Sequence, residues 1–285
     1  MVPGERAVTT RSGTVTTDPG EALAGLLGVP PPGPEEPLPL LWHWLHLLDR
    51  PAQADLGADG HPVRGGVVEP PGAGRRRMWA GGRVTQWRPL RPGVATRASR
   101  VVATEDKDGR SGPMTLVTVA HEVTQDGSIV IADEQHLVYR EAGGQGSPPA
   151  APSSPPWPEQ PAADAAARLR LDVDPTLLFR FSALTYNAHR IHYDRGYATD
   201  VEGYPGLVVH GPLQALAMAG AARLLVGAPA GPVRFDYRLV APMYDGEGLV
   251  AGADPGDDGS VVTRVTTRGG RTTARGTLTA LTGRE

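Results

Sequence analysis

Apolar and polar residues follow a pattern that divides the chain into two halves, each with a helix and several strands. In the first half, an apolar run bounded by prolines, Pro37 to Arg50, has the length of a short buried helix. Four runs with the two-residue period of half-buried strands follow it, separated by Gly, Asp or Pro. They are GRVTQWRPL, VATRASRVVATE, MTLVTVAHEV and SIVIADEQHLVYR. The first half is therefore predicted to be a helix followed by an antiparallel meander.

The second half repeats this order in a fuller form. A strand, RLRLDV, precedes a long apolar helix, Gly206 to Gly227, in which Pro212 suits the first turn and Gly227 suits the end. Four more alternating runs predict antiparallel strands with one face on that helix. They are PVRFDYRLVAPMY, GLVAGADP, SVVTRVTTRG and RTTARGTLTAL. The periodicity by itself supports an α+β fold with two similar halves.

A segment without apolar periodicity separates the two halves. Residues Gly143 to Ala167 are rich in Pro, Ala and Ser, so they bury little surface and predict a semi-extended linker. The predicted organisation is an N-terminal extension (1–36), a first domain (37–142), the linker (143–167) and a second domain (168–285).

Composition narrows the function classes. The 285 residues are 40% hydrophobic, which is enough for a substantial core, and the formal net charge of −3 gives no reason to expect nucleic acid or an anionic membrane as a partner. The absence of cysteine excludes disulfides, thiol nucleophiles and thiolate metal sites. No run of about 18 apolar residues occurs, so we expect no membrane span and predict a cytoplasmic protein.

The stretch FSALTYNAHRIHYD, Phe181 to Asp194, carries the candidate chemistry, because it places Asn187, His189 and His192 behind an apolar lead-in. An imidazole titrates close to neutral pH and is a natural proton carrier, but two histidines in a turn are more often structural, and the residues alone leave both interpretations open. The histidines have no third metal ligand at a suitable spacing, and no HExxH, GxGxxG or Walker pattern occurs. We therefore expect no metal and no nucleotide redox cofactor.

The same stretch resembles the motif of MaoC-like hydratases, and most closely the branch of type 2 hydroxyacyl-thioester dehydratases and mesaconyl-CoA hydratase-like proteins. His192 falls on the catalytic His of that motif. Asn187 stands where the ordinary motif has its catalytic Asp, and His189 where it has Asn, but both residues are usual in this branch. The lead-in matches at four positions: Phe181, Ala183, Leu184 and Thr185.

Further segments extend the resemblance over most of the chain, from Pro37 to Ala280. In the second half YPGLVVHGPLQALAM resembles the branch, and in the first half three segments do so, RRRMWAGGRVTQWRPLRPG, KDGRSGPMTLVTVAHEV and DEQHLVYR. One departure is His136, where the branch is expected to have an acidic residue.

This resemblance implies a double hot-dog fold, in which each half is a helix wrapped by a curled antiparallel sheet. It implies a hydro-lyase that reversibly hydrates an enoyl thioester or dehydrates a 3-hydroxyacyl thioester, bound to CoA or to a carrier protein. The second half would be catalytic, and the first half would be a non-catalytic copy that helps to house the acyl tail. No cofactor is implied, and a homodimer is an expected assembly.

The resemblance also implies roles for individual residues. His192 would transfer the proton, Asn187 would hold the water through its amide, and His189 would orient His192 or supply a second proton. At the start of the long helix, the main-chain N–H of Gly211 would face the thioester oxygen. His210, just before it, is also expected among the substrate-binding residues, with a hydrogen bond to the motif loop and a role in ending a strand weighted equally.

Two arginines flank the motif histidines. Arg190 and Arg195 would recognise a carboxylate on the acyl group by a bidentate contact, which favours a mesaconyl- or itaconyl-type substrate, or they would be ordinary surface arginines.

Two alternative functions remain at the level of sequence. A hot-dog thioesterase would hydrolyse the thioester, but the absence of an acid at Asn187 disfavours it. A catalytically silent acyl-binding protein is the other alternative, because the usual catalytic Asp is missing.

Overall fold

Ten antiparallel strands form one continuous sheet in the computed structural model, which describes residues 8–71, 75–109, 112–141, 155–157 and 165–282. The elements of the first half are β1 (Thr9–Val15), α1 (Asp18–Leu27), β2 (Arg75–Gln86), β3 (Gly93–Gly109), β4 (Gly112–Gln125) and β5 (Ser128–Glu141). Those of the second half are β6 (Ala167–Leu171), α2 (Pro175–Leu184), α3 (Gly211–Val226), β7 (Val233–Leu239), β8 (Leu249–Pro255), β9 (Val261–Thr267) and β10 (Thr272–Ala280). Every strand predicted from the alternating pattern is confirmed.

The strand order shows that the two halves are copies of one unit. The sheet runs β1-β3-β4-β5-β2-β7-β10-β9-β8-β6, so each half has the same internal order and the halves meet where β2 pairs with β7. At this junction Gly81 and Gly82 are required, because a Cβ on either would overlap a main-chain carbonyl oxygen of Tyr237 or Glu134. The predicted α+β double hot-dog is confirmed.

Helix α3 is the central helix of the second half. Its residues are apolar around most of its circumference, and the helix packs on β6, β8, β9 and β10, which cover its sides. Pro212 lies in its first turn and Gly227 caps its end, as predicted. The helix begins at Gly211, whereas the preceding residues run in an extended path in which Val208 bridges to Tyr244.

The first half lacks a corresponding long helix. The predicted helix over Pro37 to Arg50 is wrong: only a short 3-10 turn, Trp42–Leu45, forms there. Leu41 and Leu47 adopt left-handed backbone conformations with φ of 71° and 53°, which a continuous helix does not allow. The apolar side chains are still buried, but the absence of a helix leaves space beneath the first half of the sheet.

Residues within the predicted N-terminal extension belong to the first half of the fold. Strand β1 pairs with β3 from Thr9↔Ser99 onward, and α1 buries Leu23 and packs on α2. The first half therefore begins before the predicted boundary at residue 37. A Pro in the first turn of α1 and the left-handed Gly28 after it are the local signals that were available for this helix.

Most of the predicted linker, Gly143 to Ala167, lies outside the described residues. Of the described part, Trp157 donates from Nε1 to Asp172 Oδ1 at 2.6 Å, and the Arg268 guanidinium lies over its ring. Ala167 already belongs to β6. Within the described ranges, no helix combines the length and the apolarity needed to cross a bilayer.

The burial of α3 generates a stability prediction. Ala217 is fully buried and Leu224, on the same helix, is 58% exposed. Ala217→Asp is expected to lower the free energy of unfolding by roughly 3 kcal/mol or more, because it buries an unpaired charge. The matched Leu224→Asp variant is expected to change it by less than about 1 kcal/mol. Urea unfolding followed by circular dichroism measures both, and equal effects would show that α3 is not enclosed by the sheet.

Candidate active site

A cavity of about 1050 Å³ lies between the two halves and is lined by both. Its wall from the second half includes Asn187, His189, His192 and Gly211, so four of the predicted site residues come together in one cavity. Its wall from the first half comes from β2, β4 and β5 and from the segments that take the place of a central helix.

A tight turn after α2 presents the motif to the cavity. Asp174 caps the start of α2 by accepting from the Leu177 N–H at 2.7 Å, and the helix ends at Leu184. Tyr186 then adopts a left-handed conformation with φ of 51°, and the Asn187 N–H donates back to the Ser182 carbonyl at 2.8 Å. This reversal turns the chain toward the cavity.

His192 is held in one tautomer. Its Nδ1 lies 2.6 Å from the carbonyl oxygen of Val208, which can only accept, so Nδ1 carries the hydrogen and Nε2 has a free lone pair. Burial lowers the pKa of His192 to about 4; the bond to Val208 opposes this shift and the nearby His61 adds to it. At neutral pH His192 is therefore an uncharged imidazole in the cavity wall.

His210 lies behind His192 and outside the cavity lining. The two rings stack with centroids 3.7 Å apart and an angle of 19° between their planes. His210 is fully buried, and its Nε2 lies 2.8 Å from Ser182 Oγ, on the helix that leads into the motif. It fixes the plane of the His192 ring and does not contact the cavity, so the predicted contact with substrate does not occur in this geometry.

Asn187 and His189 are linked through the turn. The His189 N–H donates to Asn187 Oδ1 at 3.0 Å, so one oxygen lone pair of the amide is already used and the Asn187 amide N–H groups remain for a ligand. The His189 ring is buried and lies edge-on to His192, with centroids 5.3 Å apart. Burial, followed by the charges of neighbouring histidines and Arg77, lowers its pKa well below the ordinary value.

Gly211 lies at the cavity wall where α3 begins. The first main-chain N–H groups of a helix have no partner within it, so the Gly211 N–H is available to a ligand. A Cβ at this position would lie 2.7 Å from Trp79 Cε3 and 3.3 Å from Leu239 Cδ1. Glycine is therefore also required by the close packing of the two halves.

Arg190 and Arg195 do not line the cavity. Arg190 Nη2 pairs with Asp194 at 2.7 Å and its guanidinium lies over the Tyr197 ring, while Arg195 pairs with Asp245. Both arginines are paired with residues outside the cavity, so the predicted contact with an acyl carboxylate is not supported by their placement.

Sequence reasoning missed a loop of the first half that lies directly on the catalytic turn. In the stretch ADGHP, Gly60 has a φ of 88°, and a Cβ there would overlap the Ala188 carbonyl oxygen. The His61 ring lies 4.0 Å from the His189 ring, centroid to centroid, and lines the cavity. Its Nδ1 donates to Asp59 Oδ2 at 3.0 Å. The signal available in the sequence was the Asp-Gly-His stretch, which is typical of a polar turn and carries an imidazole.

Asp59, His61 and His189 form the one group of acidic and histidine side chains, within the described parts of the chain, that is compact enough to hold a cation. One nitrogen or oxygen atom from each lies within 4.8 Å of the others. Two of the three are already joined by the Asp59–His61 hydrogen bond, and we interpret the group as a hydrogen-bonded pair beside a second imidazole.

A second missed group is the set of arginines on β2 and its neighbours. Arg76, Arg77, Arg140 and Arg238 line the cavity. Arg76 Nε pairs with Glu202 at 2.8 Å, whereas the Arg77 guanidinium has no hydrogen bond or ion pair with another described residue. Its charge contributes to the lowered pKa values of His61 and His189, after burial and closer neighbours.

A buried polar group lies in the part of the cavity within the first half. Asp133 is 3% exposed and accepts from Trp44 Nε1 at 2.7 Å, and His43 Nε2 lies 3.5 Å from the same carboxylate. Burial alone would raise the pKa of Asp133, but His43 and other neighbours lower it, so this group carries a charge. Apolar side chains, among them Val119 and Leu137, line the same part of the cavity.

Comparison with known proteins gives one consistent result. The family described as hydroxyacyl-thioester dehydratase type 2 matches residues 41–245. Mesaconyl-C(4)-CoA hydratase of Chloroflexus aurantiacus is 46% identical over 230 residues, which are 79% of each chain. Among solved structures, HtdX of Mycobacterium tuberculosis is 18% identical and covers 96% of this chain and 100% of its own, with a TM-score of 0.65.

A MaoC-like dehydratase of Phytophthora capsici has a TM-score of 0.64 at 16% identity, and the match covers 97% of this chain and 96% of that one. These two structures share the fold. The family match spans most of the chain and includes the motif turn, the start of α3 and the ADGHP loop. The chain therefore belongs to the hydroxyacyl-thioester dehydratase type 2 family.

Proposed function

We propose that this protein hydrates a short enoyl thioester whose β-carbon carries a carboxylate, as in a mesaconyl thioester. Family membership makes the chain a hydro-lyase of acyl thioesters. The observation that carries the finer proposal is Arg77, a cation without a described partner in the cavity wall beside the motif histidines.

Water is activated at the motif turn. It lies between the Asn187 amide and Nε2 of His192, whose orientation is set by Val208 and by the stacked His210. The water oxygen bonds to the β-carbon, the π electrons move through the α-carbon onto the thioester oxygen, and the released water proton goes to His192 Nε2. The enolate then collapses as its α-carbon takes up a proton.

The developing enolate oxygen is stabilised at the start of α3. The Gly211 N–H lies at the positive end of the helix and in the cavity wall, so it donates where negative charge develops. Pro212 contributes no donor, and its ring fixes the first turn.

Arg77 selects the acyl group. In a mesaconyl group joined to the thiol at C4, the free carboxylate is on the carbon that receives the hydroxyl, so a cation that binds it must lie close to His192. Arg77 lines the same cavity as His192, and the His189 ring, which lies edge-on to His192, is one of the groups whose pKa the Arg77 charge lowers. The relative from Chloroflexus aurantiacus, named for this substrate, supports the assignment.

His192→Gln tests the proton transfer. The substitution removes the proton acceptor at the water, and kcat for hydration is expected to fall by roughly 10²-fold or more, the usual contribution of a general acid or base. Loss of the conjugated enoyl absorbance measures hydration, and a thiol reagent reports any hydrolysis to free thiol. The control, His136→Gln, changes a histidine that pairs with Glu134 outside the cavity. Full turnover by a folded His192→Gln variant would contradict the assignment.

The pH profile provides an independent check. Burial places the pKa of His192 at about 4, below its ordinary value of 6.5. The base is unprotonated above this pKa, so its contribution to kcat/KM is expected to disappear as the pH falls through about 4 and not near 6.5. The unfolded chain binds the proton at the ordinary pKa, so stability also falls as the pH decreases below 6.5. Circular dichroism must therefore accompany each rate, and a base-dependent limb centred at 6.5 in the folded enzyme would contradict the expectation.

Arg77→Gln tests the substrate class. A charge-assisted pair contributes about 1.5–3 kcal/mol, so kcat/KM for mesaconyl-C4-CoA is expected to fall roughly 10- to 100-fold. The value for crotonyl-CoA, which has no carboxylate, is expected to change less than about threefold by the same reasoning. Arg83→Gln is the matched control, since Arg83 on the same strand pairs with Asp236 away from the cavity. Equal losses with both substrates would place Arg77 on the CoA instead.

A further inference from the structure

The family motif accounts for the water side of the reaction but not for the proton at the α-carbon. His192 is oriented by a neutral carbonyl, and the Asn187 amide serves neither as a base nor as an acid. Within the described residues the His189 ring has no hydrogen bond to a carboxylate, and burial and its charged neighbours lower its pKa well below the ordinary value. A second proton-transfer group must therefore come from elsewhere in the cavity wall.

We propose that His61, held by Asp59, is this second catalytic residue, supplied to the active site by the first half of the chain. His61 lines the cavity and its ring contacts His189, which in turn contacts His192, so the three imidazoles follow one another along the wall. In the hydration direction His192 takes the water proton, and the His61 imidazolium gives its Nε2 proton to the α-carbon of the enolate. Afterwards one proton passes from His192 back to His61 through the cavity, which restores both residues.

Asp59 is what distinguishes His61 from the other two histidines. Asp59 accepts from the His61 ring at Nδ1 and from the His61 main-chain N–H, at 3.0 and 2.9 Å. A carboxylate behind an imidazole stabilises the imidazolium and fixes the tautomer, which a carbonyl does more weakly. When one proton is shared between His61 and His192, the Asp59 carboxylate therefore favours His61. This is the state needed to begin hydration.

The backbone holds this pair against the motif turn. The Arg190 N–H donates to the Asp59 carbonyl at 2.8 Å, and Arg190 Nη1 donates to the Ala58 carbonyl at 3.0 Å. Gly60 allows the loop to approach Ala188 more closely than any other residue would. Arg190, expected to bind substrate, instead joins the loop from the first half to the turn of the second half.

The surroundings of His61 act on its pKa in opposite directions. Burial lowers the pKa most, the Asp59 hydrogen bond raises it and the Arg77 charge lowers it, so in the unliganded cavity the pKa lies below its ordinary value. A further titratable group, the His189 ring, lies beside the His61 ring. The charges of Arg77 and Asp59 also act on the hydroxyl of Tyr139. An acyl carboxylate bound at Arg77 would offset the charge that opposes protonation of His61.

The inference rests on the hydro-lyase chemistry of the proposed function and not on its substrate. His61→Gln, Asp59→Asn and the control His136→Gln are compared in the full-length protein with crotonyl-CoA and mesaconyl-C4-CoA. His61→Gln is expected to lower kcat by roughly 10²-fold or more with KM changed less than about threefold, and Asp59→Asn by roughly tenfold. His136→Gln is expected to retain the wild-type rate.

Two readouts separate proton transfer from a structural role. With a 3-hydroxyacyl-CoA deuterated at the α-carbon, dehydration by His61→Gln is expected to show a larger isotope effect than the wild type, because the α-proton step becomes slower. Added imidazole is expected to restore part of the activity of His61→Ala. A wild-type isotope effect in a slowed His61→Gln variant, together with no rescue by imidazole, would make His61 structural and overturn the proposal.

Three further outcomes would overturn the role of His61, the proposed function or both. Full activity of His61→Gln with either substrate overturns the proposal and leaves the proposed function intact. Loss of wild-type activity on treatment with EDTA, and its recovery with Zn²⁺, would identify the Asp59, His61 and His189 group as a metal site and also overturn it. A wild-type protein that hydrates neither thioester overturns the proposed function itself, and the role of His61 with it.

Discussion

The pairing of β2 with β7 is the contact on which the rest of the structure depends. It joins two five-stranded units into one sheet, and it requires Gly81 and Gly82 because main-chain carbonyls of neighbouring strands approach too closely for a side chain. Trp79, just before this pair, packs on Gly211 at the start of α3. The same junction thus sets the sheet, the wall of the cavity and the position of the helix end that faces the cavity.

The missing helix of the first half has a functional consequence. A regular helix beneath this part of the sheet would fill the space with apolar side chains, as α3 does in the second half. The short turn Trp42–Leu45 instead leaves a cavity whose wall carries His43 and Asp133, and the ADGHP loop extends to the catalytic turn. One copy of the unit provides the motif, and the other provides the cavity and the residues that complete it.

Burial controls the electrostatics of the site. His192 and His189 are neutral at physiological pH because charging an imidazole inside the protein is costly, and the aligned His210 keeps the catalytic ring in place without a charge. In such surroundings the few charged groups, Arg77 in the cavity wall and Asp59 behind His61, act strongly on the neighbouring imidazoles. Asn187 stands where the ordinary motif has a carboxylate, and the Asp59 carboxylate comes close to the motif turn from another part of the chain.

The sequence by itself determined the strands, helix α3 and the chemical class of the motif. Alternation and helix-terminal residues such as Pro212 and Gly227 act over a few neighbouring residues, so they can be read locally. The same local signals around α1 were present but lay in a segment that was predicted to be an extension. Arg190 and Arg195 were expected at the substrate because they flank His192, yet closeness in sequence does not set the direction of a side chain, and both pair with neighbours outside the cavity.

Only the tertiary structure decided that His61 lies against His189, that Arg77 lines the cavity and that Pro37 to Arg50 is not a helix. Each of these depends on how the two halves pack across the β2–β7 junction, and no local pattern of residues records a distance between segments so far apart in the chain.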